Sequence, residues 1–333
     1  MNILVTGGAG FIGSHACVVL MQAGHEVTVL DNFYNSERSV LDRIATIVGR
    51  RPGLVEADIR NEVALRKIFC GSSFDAVMHF AGLKAVGESV AEPLRYWEWN
   101  VGGTIALLNA MASANVKTIV FSSSATVYGD PASVPICESA PVDATNPYGR
   151  NKLVIEQLLA DVAAADPAWK IARLRYFNPV GAHDSALIGE APQGVPNNLM
   201  PYVTQVAVGL RSELSVFGND YPTPDGTGVR DYIHVVDLAE GHLAALNALQ
   251  TRSGVLTVNL GTGKGVSVLE MISALEQASG RKVPYRIAPR RPGDVAACYA
   301  DVSYAKAVLG WAAKRDIREM CVDAWRWENA RSR

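Results

Sequence analysis

The sequence predicts an α/β fold: a doubly wound parallel sheet with a second, smaller C-terminal α/β domain. Two observations predict it. Short, nearly continuous apolar runs rich in β-branched residues alternate with longer helical patterns, as in βαβ units whose sheet is covered on both faces. After about residue 180 the texture changes to a segment, 180–230, rich in Gly, Pro and Asn. So long an irregular stretch inside a compact chain usually carries function.

In chain order, strands are expected at 3–6, 27–30, 76–80, 118–121 and 171–174, and helices at 11–23, 61–70, 89–114 and 148–165. Gly24 stands just past the first helix, where a left-handed residue closes it. A strand at 255–260, a helix at 267–279, a Pro-Arg-Arg-Pro-Gly-Asp loop at 289–294 and a terminal helical stretch follow. The reading divides the chain into residues 1–178, joined by a strand and helix returning from about 230–262, and residues 179–333. No repeat and no low-complexity linker separates the two parts, which implies a cleft between them.

Of 333 residues, 49% are apolar and 19% charged, so a large core can be filled. Lys plus Arg number 31 and Asp plus Glu 33, leaving a net charge of −2. A general nucleic-acid or anionic-membrane binder carries a basic excess; neither partner is expected, and an anionic ligand must be held by a local site. No apolar run approaches the ~20 residues that span a bilayer, and no basic leader precedes the first strand. The five cysteines are scattered without a Cys-x-x-Cys pair, which argues against disulfides or a zinc site and for a reducing cytoplasm. No His/Asp/Glu cluster has metal-site spacing, so no metal is expected. His79 and His234 lie in apolar stretches and read as core residues.

Thr6-Gly7-Gly8-Ala9-Gly10-Phe11-Ile12-Gly13 follows the first strand and opens the first helix. Glycines suit a tight turn, close approach of backbone to a pyrophosphate, and packing of helix on strand. The helix N-terminus offers free N–H groups and partial positive charge to phosphates. Gly7, Gly10 and Gly13 give the spacing G-x-x-G-x-x-G. Asp31 ends the second strand, where a carboxylate accepts from ribose hydroxyls and repels a 2′-phosphate, so NAD is the expected cofactor rather than NADP.

Tyr148 and Lys152 stand at i and i+4 of an expected helix and share one face. Pro147 suits the first helical position. Lowering a phenol by three units from ~10 takes ~4 kcal/mol, about what one cation at ~4 Å supplies in an effective dielectric of 20. Lys152 and a positive nicotinamide ring are expected to share that task. The plain alternative is an ordinary amphipathic helix; the preceding dinucleotide turn favours catalysis. Ser124 follows a strand on its carboxyl side, where open α/β sheets bind ligands. Its hydroxyl both donates and accepts, so it suits a relay between substrate and Tyr148, although strand-end serines often only cap the next turn.

With these residues in hand, the sequence resembles the extended short-chain dehydrogenase/reductase family and, within it, the UDP-hexose 4-epimerases. The resemblance runs nearly end to end. It is carried by residues 6–13, by Asp31-Asn32-Phe33-Tyr34-Asn35-Ser36, by Phe80-Ala81-Gly82-Leu83-Lys84-Ala85-Val86-Gly87-Glu88-Ser89, by residues 122–129, by Tyr148 to Lys152, by residues 175–179, by Pro196-Asn197-Asn198-Leu199-Met200-Pro201 and by residues 228–235. It implies a Rossmann-type NAD domain followed by a UDP-sugar domain. It also implies that Tyr148, Lys152 and Ser124 are catalytic. Asn32, Phe33, Tyr34, Asn35, Ser36, Asp58, Ile59, Phe80, Ala81, Gly82, Lys84, Asn100 and Phe177 would join the glycine turn, Asp31, Tyr148 and Lys152 around the cofactor. Ser124, Tyr148, Asn178, Asn198, Leu199, Val216, Phe217, Arg230, Arg291, Asp294 and Cys298 would meet the UDP-sugar. Arginines suit that task, since a diphosphate in a net-acidic chain needs bidentate cations.

The reaction implied interconverts UDP-galactose and UDP-glucose by transient oxidation at C4, in galactose metabolism, and a homodimer would form through the helices at 89–114 and 148–165. Two departures refine it. Sugar-nucleotide 4,6-dehydratases carry Thr-Asp-Glu where Ser124-Ala125-Thr126 stands here, so the acid–base pair for dehydration is missing. At the wall facing the sugar's C2 substituent the family places a tyrosine or a small residue; counting from Asp294 gives Cys298, followed by Tyr299. A small thiol implies room for an N-acetyl group, hence a second activity on UDP-GlcNAc and UDP-GalNAc. The competing readings are another NAD-dependent UDP-sugar epimerase, acting on UDP-GlcNAc or a uronate, and a non-catalytic NAD/UDP-sugar sensor.

Overall fold

The computed structural model describes residues 1–332 except 193, 195 and 292. Its strands are β1 (Asn2–Thr6), β2 (Glu26–Asp31), β3 (Gly53–Glu56), β4 (Ala76–His79), β5 (Thr118–Ser122), β6 (Lys170–Tyr176), β7 (Asn178–Val180), β8 (Leu214–Phe217), β9 (Val229–His234), β10 (Gly254–Leu260), β11 (Gly265–Ser267), β12 (Tyr285–Ala288) and β13 (Ala297–Cys298). The helices are α1 (Phe11–Gln22), α2 (Ser39–Val48), α3 (Glu62–Gly71), α4 (Val86–Ala91), α5 (Pro93–Tyr96), α6 (Gly103–Ser113), α7 (Pro147–Ala165), α8 (Leu199–Ala207), α9 (Val235–Ala248), α10 (Val268–Ser279), α11 (Ser303–Leu309) and α12 (Ile317–Arg331).

Seven parallel strands form the main sheet in the order β10-β6-β5-β4-β1-β2-β3. Alternation along each strand divides its side chains between two cores. Ile3, Val5, Val29 and Met78 pack with α1, α2 and α9. Leu4, Leu30, Val77 and Phe121 pack with α3, α6 and α7. The chain order reverses between β4 and β1, and ligands of open α/β sheets bind outside the carboxyl ends at such a switch point.

The C-terminal half holds a sheet of β11, β9 and β13, with β7 also paired to β9, and a separate β8–β12 pair. A third core joins Val203, Val216, Met271 and Met320 from α8, β8, α10 and α12. The segment that reads as irregular therefore contains α8 and β8. The expected helix at 89–114 is broken. Glu92 leaves the helical region (φ −126°, ψ 58°) ahead of Pro93, because a proline clashes with a helical predecessor and lacks the N–H. A π-helical turn, Trp97–Gly102, then joins α5 to α6. Among the described residues no helix is long and apolar enough to cross a membrane. Pro292, in the loop expected at 289–294, lies outside the described residues.

Candidate active site

A cleft of about 640 Å³ opens at the switch point. Its floor is the turn between β1 and α1. The α1 N-terminus has Gly10 as its cap, no side-chain cap bond and no acidic residue in its first turn, so the leading N–H groups face the cleft without an internal anion. A Cβ on Gly7 would lie 2.8 Å from the Ala81 nitrogen across the β1/β4 crevice, and one on Gly13 would lie 2.1 Å from the Gly7 carbonyl oxygen. Gly7 also has φ +70°. These glycines keep backbone at the surface that a pyrophosphate would touch.

Asp31 lies at the end of β2 and is nearly buried. Its carboxylate accepts from the Ala9 N–H (3.0 Å), the Phe33 N–H (2.9 Å) and the Ser36 hydroxyl (2.9 Å). A carboxylate has about four acceptor positions, so it both braces the turn and retains capacity for a ribose hydroxyl. Asp58 accepts from the Asn32 amide (3.0 Å) and from Arg60 (2.9 Å), and the Arg60 guanidinium holds its carboxyl down at about 2. Gly7, Gly10, Phe11, Ile12, Gly13, Asp31, Asn32, Tyr34, Asn35, Ser36, Asp58, Ile59, Phe80, Ala81, Gly82, Lys84, Tyr148 and Lys152 all line this one cleft. The turn, the free helix end and the open carboxylate fit an NAD molecule.

Three residues expected around the cofactor do not line it. Asn100 turns its amide onto the Leu83 backbone, accepting from N–H (2.7 Å) and donating to C=O (3.0 Å); it shapes the 80–84 loop instead of facing the cleft. Phe33 sits under the Arg38 guanidinium, 4.7 Å away. Phe177 is buried with Ala125, Tyr128 and Ala300, and Cys298 packs against that cluster.

Asn146 caps α7 by accepting from the Gly149 N–H (2.9 Å), which places Tyr148 in the first turn. Lys152 is buried, donates to the Ser122 carbonyl (2.8 Å) and stands 5.9 Å from the Tyr148 ring. Burial pushes Tyr148 well above its ordinary value, with Tyr176 and Tyr96 acting the same way and Ser124 opposing. Burial also brings Lys152 down to about 8, against the attraction of Glu156. In the chain by itself, removal from water is the largest influence on the phenol and disfavours its charged form. Ser124 lies two residues past β5, and its hydroxyl accepts from the Thr126 N–H (3.2 Å) and hydroxyl (2.9 Å).

The residues expected around the sugar lie away from the cleft lining, apart from Tyr148. Arg291 pairs with Asp294 (2.9 Å) and its guanidinium stands 4.7 Å from the half-exposed Phe217 ring, while Val216 beside it is buried. Arg230 donates to the Val229 and Val295 carbonyls (2.9 Å each) and is registered opposite Cys298 in the β9–β13 pair. Asn178 opens β7, and Asn198 and Leu199 open α8. Sequence reasoning missed Glu190. Its carboxylate accepts from Lys84 (2.9 Å) and from Asn198 (2.6 Å), joining the two halves. It also missed Trp327 of α12, which reaches the cleft and donates to the Glu190 carbonyl (3.0 Å), and Arg43, also in the lining.

A family model for GDP-mannose 4,6 dehydratase matches residues 4–324. The chain is 59% identical to the UDP-glucose 4-epimerase of Bacillus subtilis over 330 residues, 99% of this chain and 97% of that protein. The chain belongs to the UDP-glucose 4-epimerase branch of that family. A crystal structure of the Stenotrophomonas maltophila UDP-glucose 4-epimerase with bound NAD and formylated UDP-arabinopyranose superposes with a TM-score of 0.98 at 56% identity, covering 100% of this chain and 99% of that one. The Bifidobacterium longum enzyme in complex with NAD⁺ and UDP gives 0.97 at 52% identity, covering 100% and 99%. In this epimerase-family chain the dehydratase acid pair is replaced by Ala125 and Thr126.

Proposed function

We propose that this chain is an NAD-dependent isomerase that interconverts UDP-galactose and UDP-glucose by transient oxidation at C4 of the hexose. The observation that carries the reading is the convergence of the glycine turn, Tyr148 and Lys152 on one cleft. NAD, when bound, would supply the hydride acceptor and donor at C4. The glycine turn, Asp31, Asp58 and residues 80–84 hold that cofactor. Tyr148 takes the 4-hydroxyl proton, directly or through Ser124. Burial raises the phenol, so its acidification would need the positive charge that a bound nicotinamide would add to that of Lys152. Arg230 and Arg291 hold the diphosphate while the hexose is left free to turn, with Asn178, Asn198, Leu199, Val216, Phe217 and Asp294 around it. Product analysis with UDP-galactose and no added NAD tests the reading: UDP-glucose is expected, and unchanged UDP-galactose overturns it.

The same reading places Cys298 at the wall near the sugar's C2 substituent. Cys298 packs beside Phe177 and Ala125, whereas the Tyr299 ring packs over Gly265. UDP-GlcNAc is accordingly a second substrate. Cys298→Tyr is expected to lower kcat/KM for UDP-GlcNAc by at least about tenfold, with UDP-galactose turnover within about threefold of wild type. No wild-type turnover of UDP-GlcNAc refutes this. A homodimer in the cytoplasm completes the proposal. Val90 and Leu94 expose apolar surface on the segment from 86 to 113, and all five cysteines are free thiols.

A further inference from the structure

Glu156 is 1% exposed and stands one turn beyond Lys152, so Tyr148, Lys152 and Glu156 occupy one stripe of α7 at i, i+4 and i+8. Its carboxylate accepts from the Ser123 hydroxyl (2.5 Å) and from Arg175 of β6 at Nε (3.0 Å) and Nη2 (2.7 Å). Arg175 donates onward to the Tyr128 hydroxyl (3.1 Å) and the Glu138 carbonyl (3.1 Å). Tyr128 in turn donates to the Asn259 side chain (2.7 Å). Ser122 and Ser123 of the Ser122-Ser123-Ser124 run are thus tied to catalytic machinery or its support. The Ser122 carbonyl receives Lys152, the Ser123 hydroxyl donates to Glu156, and the Ser124 hydroxyl next in the chain accepts from Thr126. An apolar pair of similar volume usually matches or exceeds a buried ion pair in stability. The pair therefore calls for an explanation other than stability, and its contacts lead to the reacting groups.

Resting on the epimerase reading above, we propose that Glu156 is a positioning residue of the reaction, holding the Ser124 strand end in register with Tyr148 and keeping a negative charge behind Lys152. The groups around the two side chains are definite. The Glu156 carboxylate faces Arg175 and the charge of Arg173 from β6, Ser123 just past β5 and Lys152 on its own helix, and its main-chain carbonyl accepts from Arg173. Lys152 faces His79 of β4, Tyr148 and the β6 residue Tyr176 at the cleft. Glu156 favours the charged form of Lys152 and burial opposes it. Removing the charge at 156 consequently lowers the pH at which Lys152 becomes neutral.

The test is the pH profile of kcat and KM with UDP-galactose for wild type, Glu156→Gln, Glu156→Asp and Ser123→Ala. Glu156→Gln is expected to move the alkaline limb of kcat down by about one pH unit, with KM changed less than about twofold. Glu156→Asp keeps the charge, so its limb stays in place while kcat falls about tenfold across the range. Ser123→Ala lowers kcat similarly without moving the limb. If Glu156→Gln fails to fold because Arg175 is left without a counter-charge, Glu156→Gln/Arg175→Gln removes both charges, and the same downward limb is expected. Profiles superimposable on wild type overturn the proposal. Wild-type turnover in the same assay tests the epimerase reading separately, so an active wild type with unmoved variants defeats the role of Glu156 alone.

Discussion

Replacing Tyr148 with phenylalanine is expected to lower kcat for UDP-galactose by about 10²–10⁴-fold, the range that a positioned acid–base group contributes. The phenol is the one group in the first turn of α7 that lies in the cleft with Lys152. Lys152 cannot substitute for it, because its ammonium is held by the Ser122 carbonyl. Ser124 has a hydroxyl but is engaged with Thr126, and an alcohol far from its pKa is a weak base. The substitution removes one oxygen from a buried ring, so the stability change should stay near ~1 kcal/mol, the net worth of a hydrogen bond. A steady-state assay and a thermal melt of the same sample separate the two effects. Activity within tenfold of wild type would remove Tyr148 from the mechanism.

The second large effect belongs to the glycine turn. Gly13→Ala places a methyl group 2.1 Å from the Gly7 carbonyl oxygen and 2.9 Å from the Gly8 Cα. Both obstacles are backbone. Neither yields easily, since the Gly7 N–H donates to the Leu30 carbonyl (2.8 Å) and the Gly7 carbonyl accepts from Gly10 (3.1 Å). Overpacking of this kind costs about 1–3 kcal/mol or more, and here it displaces the N–H groups meant for phosphates. NAD affinity should fall by at least about 100-fold, which is ~2.7 kcal/mol. Gly87→Ala is the control: it sits in α4 with nothing within 4 Å, and should be neutral or stabilising by up to ~1 kcal/mol. Isothermal titration of NAD into protein stripped of its cofactor reads both. Unaltered affinity in Gly13→Ala would mean that the turn does not carry the cofactor.

The features legible in the sequence were those set by local chemistry. Residues 6–13 and Asp31 read as a strand–turn–helix with a carboxylate beside it from glycine spacing and strand-end position, and the structure has β1, the turn, α1 and the Asp31 carboxylate bonded to the Ala9 N–H. Tyr148 and Lys152 followed from helical periodicity. The parallel sheet followed from continuous apolar strands, except β3, whose residues are mostly exposed at the sheet edge and leave no periodic signal. Pro93 inside the expected helix at 89–114 breaks it, because the residue before a proline is pushed out of the helical region. Glu190 and Trp327 were out of reach, since each gains its place only when distant segments meet at the cleft. The influence of burial on Tyr148 was equally hidden, because a sequence shows the cation at i+4 but not the water that folding removes.

Deuterium placed at C4 of UDP-galactose follows the central claim through the reaction. With the purified chain in ordinary water and no NAD added, mass spectrometry should find UDP-glucose that retains the label at C4, because the same hydrogen leaves C4 as hydride and returns to it without exchanging with solvent. UDP-glucose that has lost the label to solvent, or no UDP-glucose at all, would contradict the account.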